Sequence, residues 1–215
     1  MNEIEKKILE DELEFDGEIV LTYRIEYPEI KEIECFYGIS TFNRYNQNSA
    51  MKLERYIVTD LYREAVELYK YNKKNGYPIM KYEIIQEYTV TYNKDDIISL
   101  YYDTYEFRGG AHGNTIRESQ TWNLNLGKMI PLYKFCLNNP YYILNILRQI
   151  IEQIRKQIES GTNYYFDNYG ELVIDTFNPK SFYLTDKGIT VYFQQYDIAP
   201  YSSGIPEFYI KKNIW

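Results

Sequence analysis

The residues best suited to chemistry lie at 107–114, where Gly109, Gly110 and Gly113 surround His112, the single histidine of the 215-residue chain, and Asn114 follows. Glycine takes positive φ and permits close backbone approach without a Cβ penalty, so this cluster specifies a particular chain path. The imidazole could act there as a general base, as a metal ligand, or as a hydrogen-bonding group that fixes the turn. General acid–base work needs an orienting acid, and Asp103 and Glu106 are the carboxylates nearest in sequence. Strand alternation sends these two to opposite faces, so both cannot serve one site. One histidine among scattered carboxylates offers no recognised ligand spacing for a metal. The expectation is therefore no catalytic residue, no metal and no cofactor, with Gly109, Gly110, His112, Gly113 and Asn114 forming a structural turn. The competing reading is a hydrolase that uses His112.

A second stretch, 196–206, suits partner contact. Pro200 and Pro206 stiffen it, Gly204 permits a bend, and Tyr201, between Pro200 and Ser202, supplies a rigid ring of the kind that anchors interfaces. Its bland alternative is an irregular connection that packs Tyr196 and Ile198 inward.

The elements that must hold these segments are legible as alternation and helical stripes. After an acidic leader, 1–17, residues 18–27 alternate as a strand that Pro28 ends, and a second extended piece lies around 33–37. A long helix is predicted over 42–74, with Leu53, Ile57, Leu61, Ala65 and Leu68 as its apolar stripe and Asn75-Gly76 as its close. Residues 80–92 and 97–107 form a hairpin through the 93–96 turn, and 115–126 add a third strand. A second helix is predicted over 140–160, striped by Ile143, Leu147, Ile150, Ile151, Ile154 and Ile158 and stopped by Gly161. Residues 181–185 and 188–194 make another hairpin, and 206–211 a last strand. The sum is an α+β fold, a mainly antiparallel sheet covered by two long helices in one compact unit.

Composition narrows the function. Hydrophobic residues make up 45% of the chain and 26 residues are tyrosine, which excludes a disordered chain. A net charge of −7 lacks the basic footprint of a nucleic-acid binder and favours a basic partner. No apolar run of membrane-spanning length occurs, and the first residues are too acidic for a signal peptide. As written, the chain reads as cytoplasmic if complete, and as extracytoplasmic if an export segment was removed. Cys35 and Cys136 allow one pairing, and as isolated residues they read as free thiols.

Four motifs in order, residues 107–114 (F-R-G-G-A-H-G-N), 122–132 (W-N-L-N-L-G-K-M-I-P-L), 182–188 (F-Y-L-T-D-K-G) and 196–206 (Y-D-I-A-P-Y-S-S-G-I-P), resemble the RsiV-like family, domain of unknown function 3298. The half at 18–116, through Tyr27-Pro28 and Asn43, resembles its usual companion, domain of unknown function 4163, so 117–215 is the RsiV-like half. The resemblance implies a non-enzymatic binding module, because one member is an anti-sigma factor that binds lysozyme and another is the non-catalytic part of a peptidoglycan deacetylase. It thus implies lysozyme or peptidoglycan fragments as ligands, and the residues of the 196–206 stretch make Pro200, Tyr201 and Ser202 the expected contact loop. His112 alone does not supply the two histidines of the deacetylase metal site.

Overall fold

The computed structural model describes residues 2–31, 37–136 and 139–211. The fold is α+β, and its strands divide into two sheets rather than one. The first sheet runs in chain order through β1 (Ile4–Phe15), β2 (Glu18–Ile30), β3 (Tyr82–Lys94), β4 (Ile97–Phe107), β5 (Asn114–Asn123) and β6 (Lys128–Met129). Neighbours are antiparallel except β2 and β3, which run parallel because a helical crossover joins them.

That crossover is α1 (Tyr37–Tyr56), a π-helical segment (Ile57–Leu61) and α2 (Tyr62–Asn75) in unbroken succession. The predicted stripe is the buried one: Ile57, Leu61 and Ala65 lie in the core, with Leu53 and Leu68 packed at its margin. Gly76 closes the helix at φ 69° by donating its N–H to Asn72 O. Near the helix start Gly38 has no room for a side chain. An added Cβ would lie 1.5 Å from the Leu124 carbonyl oxygen, so α1 presses directly on the loop after β5.

Two expectations for the amino-terminal region need correction. The acidic leader is a full strand, β1, paired along its length with β2. Its charges face water while Ile4, Leu9, Leu13 and Phe15 pack against the core, and Asp16-Gly17, both at positive φ, make the tight turn to β2. Nor does Pro28 end β2, which continues to Ile30. Pro28 sits where β2 is paired with β1 alone, its pairing with β3 having ended at Ile25, so one missing donor is tolerated. The extended piece expected around 33–37 and Cys35 lie outside the described residues, apart from Tyr37, which opens α1.

The second sheet contains β7 (Phe182–Thr185), β8 (Gly188–Tyr192) and β9 (Glu207–Ile210), all antiparallel. Helix α3 (Tyr142–Glu159) packs on β9, with the short α4 (Tyr169–Asp175) beside it. Its buried stripe is Ile146, Leu147, Ile150 and Ile154. Ile143 and Ile158, predicted for that stripe, are exposed: Ile143 lies off the series of Ile146, Ile150 and Ile154, and Ile158, which continues it, falls in the last turn of the helix. The buried residues of the first helical run lie in one core cluster and those of α3 in another. The sheets meet where β7 lies against β3, β4 and β5. There Ser99 Oγ, 2.7 Å from Thr121 Oγ1, accepts the Leu184 N–H at 2.9 Å. The expected division between residues 116 and 117 falls inside β5, which is paired with β4 from end to end. Cys136 is a buried free thiol whose pKa burial pushes up.

Candidate functional site

The loop after β4 is shaped by its glycines. Gly109 turns at φ 76° beside Leu68 and Met80, and Gly113 lies flat on Tyr105, where an added Cβ would come within 2.3 Å of the ring. Between them His112 is carried outward into solvent, its Nδ1 2.9 Å from the Gly113 carbonyl. Neither nearby carboxylate turns to the imidazole. Asp103 grips Arg117, and Glu106 pairs with Arg108, as their opposite faces require. Among the described residues, no three His, Cys, Asp or Glu side chains gather as a metal-ligand set. No helix among them is long and apolar enough to cross a membrane.

What meets His112 is the other segment that the sequence marks. The imidazole stacks on the Tyr201 ring, with centroids 4.3 Å apart and planes 28° from parallel. Tyr196 extends the row, its centroid 5.8 Å from that of Tyr201. A tight turn delivers it: Asp197 Oδ2 accepts the Gln194 N–H at 2.8 Å, and Tyr196 adopts φ 67°. That conformation costs a non-glycine residue ~1–2 kcal/mol, and it swings the ring outward to 52% exposure. Of the two, Ile198 alone packs inward, so the alternative that buries both is corrected at Tyr196. Burial pushes the Asp197 carboxyl pKa up, against the lowering effect of the Gln194 N–H. Pro200, half-buried at φ −66°, leads into the single 3₁₀ turn Tyr201–Ser203, on which Ser202 is exposed. Ser203 Oγ ties that turn to the Tyr164 carbonyl at 2.9 Å. His112, Tyr201 and Tyr196 thus form a solvent-facing aromatic shelf built from two loops 80 or more residues apart.

Clamps on β5 hold the two loops together. The Gln195 side-chain oxygen accepts the Thr115 N–H at 2.9 Å. Gln194 both accepts the Arg117 N–H at 2.9 Å and donates to the Arg117 carbonyl at 2.7 Å.

Below the shelf lies a residue that the sequence reading missed. The Arg117 side chain is 9% exposed, and its guanidinium takes both oxygens of Asp103, at 2.6 Å each, and Glu207 Oε1. It also covers the Tyr101 ring at 3.8 Å. Desolvation alone would lower its pKa, but Asp103 and Glu207 more than offset that and hold the guanidinium charged. Burial, with help from Glu207, pushes the neighbouring Tyr183 hydroxyl well above the usual phenol range. This is a fully paired cross-tie between β4, β5 and β9, with no unpaired group for catalysis. The available signal was symmetry: an antiparallel return through the glycine loop sets Asp103 opposite Arg117.

With this geometry in hand, residues 16–115 match the family described as Deacetylase PdaC, and residues 137–213 match the family described as Protein of unknown function (DUF3298). The chain carries a PdaC domain followed by a DUF3298 domain. The glycine loop closes the PdaC match, and Tyr196, Pro200, Tyr201 and Ser202 lie in the DUF3298 match, so the shelf straddles both. Two solved structures share the fold. A member of the DUF3298 family from Bacteroides fragilis aligns with a TM-score of 0.70 at 19% identity, over 98% of this chain and 90% of that one. A DUF3298 family protein from Pseudomonas aeruginosa aligns with a TM-score of 0.67 at 15% identity, over 100% and 92%. No curated protein matches the chain.

Proposed function

We propose that this protein is a non-enzymatic binding module of the bacterial cell envelope, and that the shelf of His112, Tyr196 and Tyr201, flanked by Pro200 and Ser202, is its partner surface. The observation that carries the reading is the His112–Tyr201 stack, in which two loops hold an exposed imidazole on a half-buried tyrosine ring at the surface. Burial would be the ordinary fate of such rings, and exposed rigid aromatics are what binding hot spots use. The RsiV-like resemblance supports lysozyme as the partner, and a net charge of −7 favours encounter with so basic a protein. Peptidoglycan fragments are the second ligand class, since sugar faces stack on the same kind of ring.

The PdaC match names a deacetylase, which keeps a hydrolase in view. Among the described residues His112 has no carboxylate partner, and this favours binding over turnover. Calorimetric titration with lysozyme and with soluble peptidoglycan fragments tests the proposal. Saturable heat with one of them, weakened about 30-fold by Tyr201→Ala, or ~2 kcal/mol, is the expected outcome. Silence from both, or peptidoglycan deacetylation or hydrolysis abolished by His112→Ala, would overturn it.

A further inference from the structure

A groove of about 710 Å³ runs along the outer edge of β5, and nothing in the shelf reading uses it. One wall carries Tyr45 and Ser49 of α1, and the other carries residues 178–182 ahead of β7. Odd-numbered residues of β5 turn their main-chain groups toward this edge, as the partners of Thr115, Arg117 and Thr121 establish. At one end Gln194 supplies Arg117 with both an acceptor and a donor, which is what a residue of a neighbouring strand would supply. At the other end Ile130 donates its N–H to the Thr121 carbonyl at 2.7 Å, and β6 follows. Between these covers, the Ser119 N–H and C=O and the Thr121 N–H face the groove without a partner among the described residues.

We propose that this groove takes an extended peptide segment of a partner protein, which adds a short antiparallel strand to β5 centred on Ser119. A main-chain donor and acceptor on one residue, spaced as in a ladder, are matched by one amide residue of an extended chain. The pleat then fixes the side chains. The residue opposite Ser119 shares its face, where Ser119 Oγ already reaches the carbonyls of Lys180 and Phe182, so that residue must be small. Its two neighbours face Tyr45, Ile116 and Met129, which are 46%, 52% and 41% exposed, so those positions take apolar side chains. Glu118, exposed on the same side, favours a basic flank.

The test uses the full chain and the synthetic peptide acetyl-Lys-Leu-Ser-Leu-Lys-amide, followed by amide NMR. The peptide shifts and protects the Ser119 and Thr121 N–H signals. The same peptide N-methylated at its central serine binds at least tenfold more weakly. Ser119→Pro, which removes the outward N–H on an edge where proline is tolerated, loses at least tenfold in affinity, whereas Ser119→Ala keeps it. Equal binding of the N-methylated peptide, or no binding at millimolar peptide with wild type still folded, would overturn the proposal. Protection of these amides that rises with protein concentration in the absence of peptide would also overturn it, since the occupant would then be a second copy of this chain. None of these outcomes depends on Tyr201, so the shelf stands or falls separately.

Discussion

Arg117 and His112 sit five residues apart and both join the PdaC region to the DUF3298 region, yet their surroundings differ in every respect that decides a role. Arg117 is buried, charged and paired on all sides, and every partner of its guanidinium is a strand residue. His112 is exposed, carried on a loop, and held by a ring stack and one backbone contact. The buried charge cluster around Arg117 therefore marks a structural tie. The proposed partner surface is where two loops leave stacked aromatic rings at the surface.

The contrast would break if removing Arg117 were harmless. Arg117→Met leaves Asp103 and Glu207 facing each other beside tyrosine rings, and partial solvent access at 31% and 41% exposure softens the penalty. Urea denaturation should register a loss of ~2–3 kcal/mol, the low end for breaking a buried pair. Gly113→Ala comes next. Its Cβ must displace the half-buried Tyr105 ring, and thermal unfolding should report ~1–2 kcal/mol together with a disturbed His112–Tyr201 stack. His112→Ala is expected to cost under ~1 kcal/mol, because the ring is exposed and leaves no buried partner behind. A loss as large as that of Arg117→Met would erase the distinction between tie and shelf.

The smallest effect concerns Asp197. Its folded pKa is raised by burial, so ionisation disfavours the native turn: its stabilising contribution is present in acid and is lost as pH rises through the unfolded and then the folded pKa. Asp197→Asn keeps an acceptor for the Gln194 N–H without the charge. Denaturation should find the variant slightly more stable than wild type at about pH 7, with the gap closing toward about pH 3. A gap that widens in acid would contradict the burial argument.

Most elements were readable because periodicity reports burial, as with Ile57, Leu61 and Ala65 on the first helix. β1 escaped because only Ile4, Ile8, Leu9, Leu13 and Phe15 interrupt its charges, although Asp16-Gly17 was a hairpin signal in plain view. The split into two sheets was not legible, since alternation marks strands and not their partners. The two halves of the site were each visible as glycine or proline punctuation, at His112 and at Pro200, Tyr201 and Ser202. Their meeting was not, because contact across the whole second half of the chain leaves no local trace. The outward turn of Tyr196 was hidden for a related reason: its positive φ has no glycine to announce it.

The central claim, that the two loops act as one recognition surface, is tested most directly by a double-mutant cycle on His112→Ala and Tyr201→Ala, read as affinity for lysozyme in calorimetry. The account predicts that each change weakens binding and that the double variant is little worse than Tyr201→Ala alone, because the stack is lost once. Full additivity of the two losses, or unchanged affinity in Tyr201→Ala with the fold intact, would contradict it.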